Sequence, residues 1–177
     1  MATMVIRDGS WHANIVTSFE AHPELDLALL RTVDPRPAPI VVSFDRHFGS
    51  APYMQWSYPQ DVAYELVLEQ QAFFRPDLVY LEGYVRRRMT DISLPLPGAK
   101  ELYELSTPAG EGASGSAVIA RRPVGPGRPW QIIGIYIGER QTEAFGRPQN
   151  VGYATRLDAC HNWRPAIAGG GRTLAEL

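Results

Sequence analysis

A glycine-rich turn that leads directly into an apolar strand decides how this chain is interpreted. The turn is residues 110–116, GEGASGS, and the strand is residues 117–120, AVIA. Glycines let a backbone bend sharply and expose both a hydroxyl and backbone N–H groups. A serine nucleophile and its oxyanion hole are built in this way. Glycine-serine turns also join strands in many β proteins, so the residues alone leave Ser114 as either a nucleophile or a plain turn residue.

The composition predicts an all-β protein. Of 177 residues, 45% are apolar, which is enough for a core, and 15 prolines and 16 glycines divide the chain into short segments. Alternating or apolar runs predict strands at residues 11–19, 25–33, 40–44, 53–59, 78–86, 102–106, 116–121, 130–138 and 150–155. The ambiguous segment 62–74 also allows a helix, but its pattern favours a strand or irregular structure. We expect a hairpin turn at Asp8-Gly9, a proline-rich connection at 34–39, a polar loop at 139–149, one or two helical turns at 157–163 and a loose tail from residue 169.

Charge and cysteine content argue against several functions. The net charge is −2 with acids and bases mixed, which gives no case for binding nucleic acid or a membrane. The basic run at 86–88 is interpreted as a solvated strand end rather than a phosphate site. Cys160 is the only cysteine, so neither an intrachain disulfide nor a thiolate metal site is expected, and we expect no metal and no organic cofactor. The single cysteine and the missing apolar signal sequence favour a cytoplasmic location, although a secreted bacterial protein without disulfides also fits.

A second stretch, residues 25–30 (LDLALL), places an aspartate against aliphatic residues. Asp26 is either a turn aspartate that caps a neighbouring N–H or a partly desolvated carboxylate that orients a histidine. A carboxylate beside an aliphatic strand needs a partner, and a histidine would serve.

Three stretches, in chain order, resemble the trypsin-like (chymotrypsin-fold) serine peptidases. Residues 26–30 (DLALL) resemble the triad-aspartate motif, residues 112–116 (GASGS) the nucleophile motif, and residues 131–135 (QIIGI) with 150–154 (NVGYA) the strands that wall the primary specificity pocket. The resemblance extends from about Asp8 to Trp163. It implies a chymotrypsin-like double β-barrel whose first barrel is incomplete here: the end of that barrel at 1–45, the second barrel with a short C-terminal helix at 46–165, and a loose tail at 166–177.

The resemblance also implies the roles of particular residues. Ser114 would be the nucleophile of an endopeptidase that takes a peptide or protein substrate, with Asp26 orienting the base and the N–H groups of Gly112 and Ser114 forming the oxyanion hole. The residues expected to shape the pocket are Pro108, Ala109, Glu111, Ile135, Tyr136, Ile137, Gly138, Glu139 and Gly152. Glu139 either faces the pocket mouth or is an exposed loop residue. Ala113 departs from the animal digestive members, which carry an aspartate there, and so resembles the bacterial housekeeping and intracellular types.

The catalytic base is missing from the matched positions. The family's order along the chain is histidine, aspartate, serine, and only His12 and His22 precede Asp26. Both are interpreted as surface residues of a strand and a turn, and His47 and His161 are expected to be exposed. Either strands upstream of Met1, in an additional domain or a separate piece, carry the histidine, or the chain is an inactive homologue that binds peptides or acts as a scaffold. An unrelated β-barrel ligand module is a third alternative.

Overall fold

The computed structural model describes residues 2–7, 10–34, 40–68, 71–90, 100–121, 130–144 and 146–177. Within these ranges the chain forms strands and one-turn 3-10 helices, and no α-helix, which confirms the all-β prediction. The strands are β1 (Ala2–Arg7), β2 (Ser10–Ala21), β3 (Ala28–Thr32), β4 (Ile40–Val42), β5 (Pro52–Ser57), β6 (Ala63–Leu68), β7 (Gln71–Pro76), β8 (Val79–Thr90), β9 (Glu101–Leu105), β10 (Ala117–Ala120), β11 (Trp130–Ala144) and β12 (Arg147–Arg156). The 3-10 helices are Gln60–Val62, Leu157–Ala159, Ala166–Ala168 and Leu174–Glu176.

The N-terminal strands form a small antiparallel sheet in the order β1-β2-β3. Arg7 lies opposite Ser10, so β1 and β2 form a hairpin, but the predicted Asp8-Gly9 turn itself lies outside the described residues. Strand β3 pairs with β2 through Ala28 opposite Ala21 and Leu30 opposite Phe19. One face of this sheet is apolar and exposed, because Phe19 and Leu30 project from it without a covering layer in the described chain.

A second sheet closes on itself. Its strand order is β10-β5-β8-β9-β12-β11-β4, and an additional pairing between β10 and β11 joins six of these strands into a ring. Strand β4 extends the ring by pairing with β11 in parallel. Closure removes free edges from the six strands and encloses a core. The fully buried members of that core are Tyr53, Val85, Tyr103, Leu105, Val118, Tyr136 and Ala154.

A separate apolar cluster attaches the turn after β2 to the C-terminal residues. Leu25, Leu157 and Cys160 are buried together, with Leu27 and Trp163 packed against them. The tail was predicted to be loose, but this prediction is wrong for the residues that pack here. Leu174 joins the same cluster, and Ile167 N–H donates to Glu20 Oε2 of β2 at 3.0 Å.

Several other expectations need correction. Residues 139–144 and 147–149 belong to the end of a long hairpin between β11 and β12 rather than to a loop. Strand β3 begins at Ala28, so residues 25–27 belong to the preceding turn. The helical stretch expected at 157–163 is the 3-10 helix Leu157–Ala159. The ambiguous segment 62–74 contains β6 and β7, as favoured. The domain boundary at residue 45 stays a prediction, although β4, which precedes it, pairs within the second sheet. The prolines at 35–39 lie outside the described residues.

The interpretation of residues 86–88 as a solvated strand end also needs correction. All three arginines lie inside β8 and pair with carboxylates: Arg86 and Arg87 with Glu104 at 3.3 and 2.7 Å, and Arg88 with Asp158 at 2.6 Å. Their charges are therefore engaged in ion pairs within the fold. Among the described residues no helix has the length and apolarity to cross a membrane.

Candidate active site

The glycine-serine turn lies between β9 and β10, as the sequence predicted. Gly110, Gly112 and Gly115 have φ values of 85°, 86° and 88°, a region that side chains disfavour. The turn is fixed to strand β11, because Gly115 N–H donates to the carbonyl of Tyr136 at 2.8 Å. Its shape is therefore determined by the barrel rather than by local preference alone.

Two backbone donors of this turn remain free. The N–H groups of Gly112 and Ser114 make no hydrogen bond with any described residue. Ser114 is exposed, and its hydroxyl donates to the carbonyl of Ile137 at 3.2 Å. Two free N–H groups beside a serine hydroxyl are the components that an oxyanion hole requires.

A buried amide that was not predicted from the sequence supports the glycine-serine turn. Gln55 of β5 is fully buried, and its Nε2 donates to Ser116 Oγ at 2.5 Å. Ser116 Oγ in turn donates to the carbonyl of Ala113 at 2.6 Å. The signal available in the sequence was a lone amide among the apolar residues of β5, because such a side chain needs a buried partner.

Asp26 lies in the turn between β2 and β3, and its side chain is exposed. Its carboxylate makes no hydrogen bond within the described chain, so the alternative of a desolvated carboxylate is not what the structure shows. His22 organises this turn: its Nδ1 accepts the N–H groups of Glu24 and Leu25, each at 3.1 Å. Thr155 Oγ1 of β12 donates to the Asp26 carbonyl at 3.4 Å, which ties the turn to the second sheet.

Ser114 and Asp26 line one cleft. It has a volume of about 610 Å³ and lies where the β2–β3 turn meets the β10–β11 side of the ring. The remaining lining residues are Ala21, Leu25, Leu27, Ala28, Leu30, Gly115, Ile135, Tyr136 and Ile137. The structure therefore brings together the two residues that the resemblance assigned to catalysis, in mostly apolar surroundings.

The residues predicted to shape a pocket fall into two groups. Ile135, Tyr136 and Ile137 line the cleft with Ser114. The other six do not line it: Pro108, Ala109, Glu111, Gly138, Glu139 and Gly152. Glu139 is exposed, but its Oε2 accepts the Gly110 N–H at 3.1 Å and the Tyr136 hydroxyl at 3.3 Å, so it holds the glycine-serine turn.

All four histidines of the chain are described, and none forms a hydrogen bond with Ser114 or Asp26. His12 is exposed on β2. The ring of His22 contacts Trp163 edge-on at 5.1 Å, and burial lowers the pKa of this imidazole. His161 is exposed, as expected, and its Nδ1 lies 2.9 Å from the Asp158 carbonyl. His47 was expected to be exposed, but it is half-buried beside the Tyr103 hydroxyl, and burial lowers its pKa.

Cys160 does not offer an alternative nucleophile. It is buried in the C-terminal cluster, and burial raises the pKa of its thiol to about 11. The thiolate that would react is therefore scarce at neutral pH. Within the described ranges, no three His, Cys, Asp or Glu side chains are grouped closely enough to hold a metal ion.

No family model and no curated protein matches this sequence. Solved structures do match it. One is the crystal structure of Rv3671c from M. tuberculosis H37Rv, a serine-to-alanine mutant described as an inactive form. It superimposes with a TM-score of 0.53 at 16% identity over 87% of this chain, and this chain spans 64% of the length of that one. Identity this low shows the fold alone. The fold is chymotrypsin-like, as the resemblance implied.

Proposed function

We propose that this protein is the serine-bearing part of a trypsin-like serine endopeptidase, with Ser114 as the nucleophile. The observation that carries the proposal is the shared cleft, which Ser114 and Asp26 line together with mostly apolar residues. The N–H groups of Gly112 and Ser114, which have no partner among the described residues, support it, because an oxyanion hole needs backbone donors that are available to the developing charge.

The reaction assigned to this site is acyl transfer followed by hydrolysis. Ser114 Oγ adds to the carbonyl carbon of a peptide bond, and the hydroxyl proton passes to an imidazole base. The carbonyl oxygen becomes an anion that accepts the N–H groups of Gly112 and Ser114. Collapse breaks the C–N bond, and the amine leaves with the proton from the imidazolium. Water then releases the acyl group by the same steps. Before this reaction the Ser114 hydroxyl must leave the Ile137 carbonyl, to which it now donates.

The proposal requires an imidazole that the four histidines of the chain do not supply in the described arrangement. We propose that another segment of polypeptide delivers it to the exposed Asp26 carboxylate, which has no partner in the described chain. The lack of a base at Ser114 also favours a second candidate, an inactive homologue that binds peptides in the same cleft. Loss of the base lowers serine hydrolysis by several orders of magnitude.

A fluorophosphonate probe with added imidazole distinguishes the two candidates. Ser114 Oγ attacks phosphorus, fluoride leaves, and the free imidazole takes the hydroxyl proton. We expect labelling to accelerate with imidazole concentration and to disappear in Ser114→Ala. Asp26→Asn should weaken the imidazole response, whereas Asp77→Asn, which removes a charge outside the cleft, should not.

Two outcomes decide the matter. Labelling of Ser114 that depends on both imidazole and Asp26 supports the endopeptidase. A folded chain that stays unlabelled at every imidazole concentration contradicts it and supports the peptide-binding homologue.

A further inference from the structure

The side chain of Tyr136 lies in the barrel core, over the paired strands that were expected to wall a specificity pocket. Tyr136 projects from β11 and is 0% exposed. A Cβ placed on Gly152 of the neighbouring strand β12 would lie 2.9 Å from Tyr136 Cε2, so the ring rests directly on that glycine. The same Cβ position lies 3.3 Å from the Thr107 carbonyl oxygen and 3.4 Å from Pro108 Cα. The ring is therefore enclosed by both strands and by the segment before the nucleophile turn.

Hydrogen bonds hold the ring in this position. The Tyr136 hydroxyl accepts the Ala109 N–H at 3.1 Å and donates to Glu139 Oε2 at 3.3 Å. Burial is the main cause that raises the pKa of this phenol, so it stays protonated and able to donate at neutral pH. A buried tyrosine whose hydroxyl has both a donor and an acceptor partner does not swing out without leaving these groups unpaired.

We propose that Tyr136 is a specificity-determining residue that restricts the acyl side of the scissile bond to a small, uncharged side chain. This inference rests on the proposed function, because it concerns the residue whose carbonyl Ser114 attacks. The space over Gly152, where a large side chain would lie, is already filled by the phenol ring. The cleft beside Ser114 is bordered instead by aliphatic side chains: Leu25, Leu27, Ile135 and Ile137.

The placement of the carboxylates near Tyr136 supports the same substrate class, a small and uncharged side chain. Glu139 lies on β11, the strand that also carries Tyr136. Its Oε2 accepts the Gly110 N–H and the Tyr136 hydroxyl. Glu139 also does not line the cleft beside Ser114, and the carboxylate that does, Asp26, is the one assigned here to the imidazole base. A small apolar or hydroxyl-bearing residue fits the aliphatic border without burying an unpaired charge.

The position of the ring can be tested without any enzymatic activity. Tyr136→Ala should open a cavity that binds indole and raises the melting temperature when indole is added. Tyr136→Phe keeps the ring and should show no shift, like the unaltered protein. If Tyr136→Ala does not fold, Tyr136→Leu makes a smaller cavity that should respond to benzene. Folded variants that fail to respond to either ligand overturn the inference.

The substrate preference is tested with two diphenyl phosphonate probes, one carrying a methyl and the other a benzyl group as the acyl-side substituent. Ser114 Oγ forms a bond to phosphorus, and phenoxide leaves and takes up the hydroxyl proton as phenol. With imidazole added, we expect the methyl probe to react at least about tenfold faster than the benzyl probe, both in the unaltered protein and in Tyr136→Phe. Tyr136→Ala should reduce this ratio of the two rates about tenfold.

The outcomes separate this inference from the function on which it rests. Equal rates for both probes in the unaltered protein overturn the preference while Ser114 remains the nucleophile. No reaction of either probe with any folded variant overturns the proposed function and the preference with it. Indole binding by Tyr136→Ala in that case still supports the enclosed position of the ring.

Discussion

Replacing Gly112 by alanine tests whether the glycine-serine turn is confined by its close approach to Gln60. Gly112 has a φ of 86°, and a Cβ at this position would lie 3.1 Å from both the Cγ and the backbone nitrogen of Gln60. The substitution therefore imposes two separate penalties: a backbone conformation that alanine disfavours, and a contact with a neighbouring segment whose backbone must move. The Gln60 N–H donates to the Glu111 carbonyl at 2.8 Å, so that movement also strains a hydrogen bond.

Gly115 provides a matched control within the same turn. Its φ is 88°, nearly the same, but a Cβ there meets nothing within 4 Å. Gly115→Ala should therefore lower the free energy of unfolding by about 1–2 kcal/mol, the cost of the left-handed conformation alone. Gly112→Ala adds an overpacking cost, so we expect a total loss of about 2–5 kcal/mol. The difference between the two variants isolates the close approach to Gln60.

Urea unfolding followed by tryptophan fluorescence measures both losses, and the imidazole-dependent fluorophosphonate rate measures the consequence for the site. Gly112→Ala should slow labelling more than Gly115→Ala, because it displaces one of the two proposed oxyanion donors. Equal stability losses in the two variants would refute the claim that Gln60 confines the turn. Equal labelling rates, with the expected difference in stability, would refute the role of the Gly112 N–H.

Three further predictions concern buried and titratable groups. Burial lowers the pKa of His22 from 6.5, and its neutral Nδ1 accepts two N–H groups. The stability that this histidine contributes is therefore complete above pH 6.5 and is lost as the pH falls through the lowered pKa. Unfolding midpoints measured across this pH range should fall less in His22→Asn than in the unaltered protein. Gln55→Met should change the free energy of unfolding by less than about 1 kcal/mol, because it removes a hydrogen bond to Ser116 together with a buried Oε1 that has no partner. Ser116→Ala should cost about 1–3 kcal/mol in the same urea assay, because it leaves the buried Gln55 Nε2 without its acceptor. Arg156→Met should cost about 1–3 kcal/mol, because Glu101 loses its ion-pair partner while the buried carboxylate of Asp158 keeps Arg88 at 2.6 Å; no measurable loss would contradict this.

Local patterning predicted the strands that have one buried and one exposed face. The alternation in β8 is visible in the sequence because Val85 and Met89 face the interior and their neighbours face outward. The same approach failed for the hairpin end at 139–149. Both strands are largely exposed there and need no apolar face, so a paired strand has the composition of a loop. Hydrogen bonds to a partner strand, which no local pattern reveals, keep it extended.

The start of β3 was misplaced for a related reason. The run 25–30 is apolar enough for a strand, yet Leu25 and Leu27 turn toward the C-terminal cluster around Leu157 and Cys160. Apolar residues in a turn that docks on another element have the same composition as a buried strand. Which interpretation holds depends on what lies across the interface, and that is a tertiary property.

The sequence by itself determined the all-β class, the glycine-serine turn with Ser114, and the absence of a histidine from the matched positions, because each depends on residue identity or short-range spacing. Tertiary structure alone decided three things: that Asp26 and Ser114 line one cleft, that Gln55 supports the turn, and that the Tyr136 ring occupies the space beside Gly152. Each of these depends on strand register and on how two sheets pack, and therefore on contacts between residues that are distant along the chain. A motif specifies which groups are available, whereas the packing of the barrel specifies which of them meet and what room is left for a substrate.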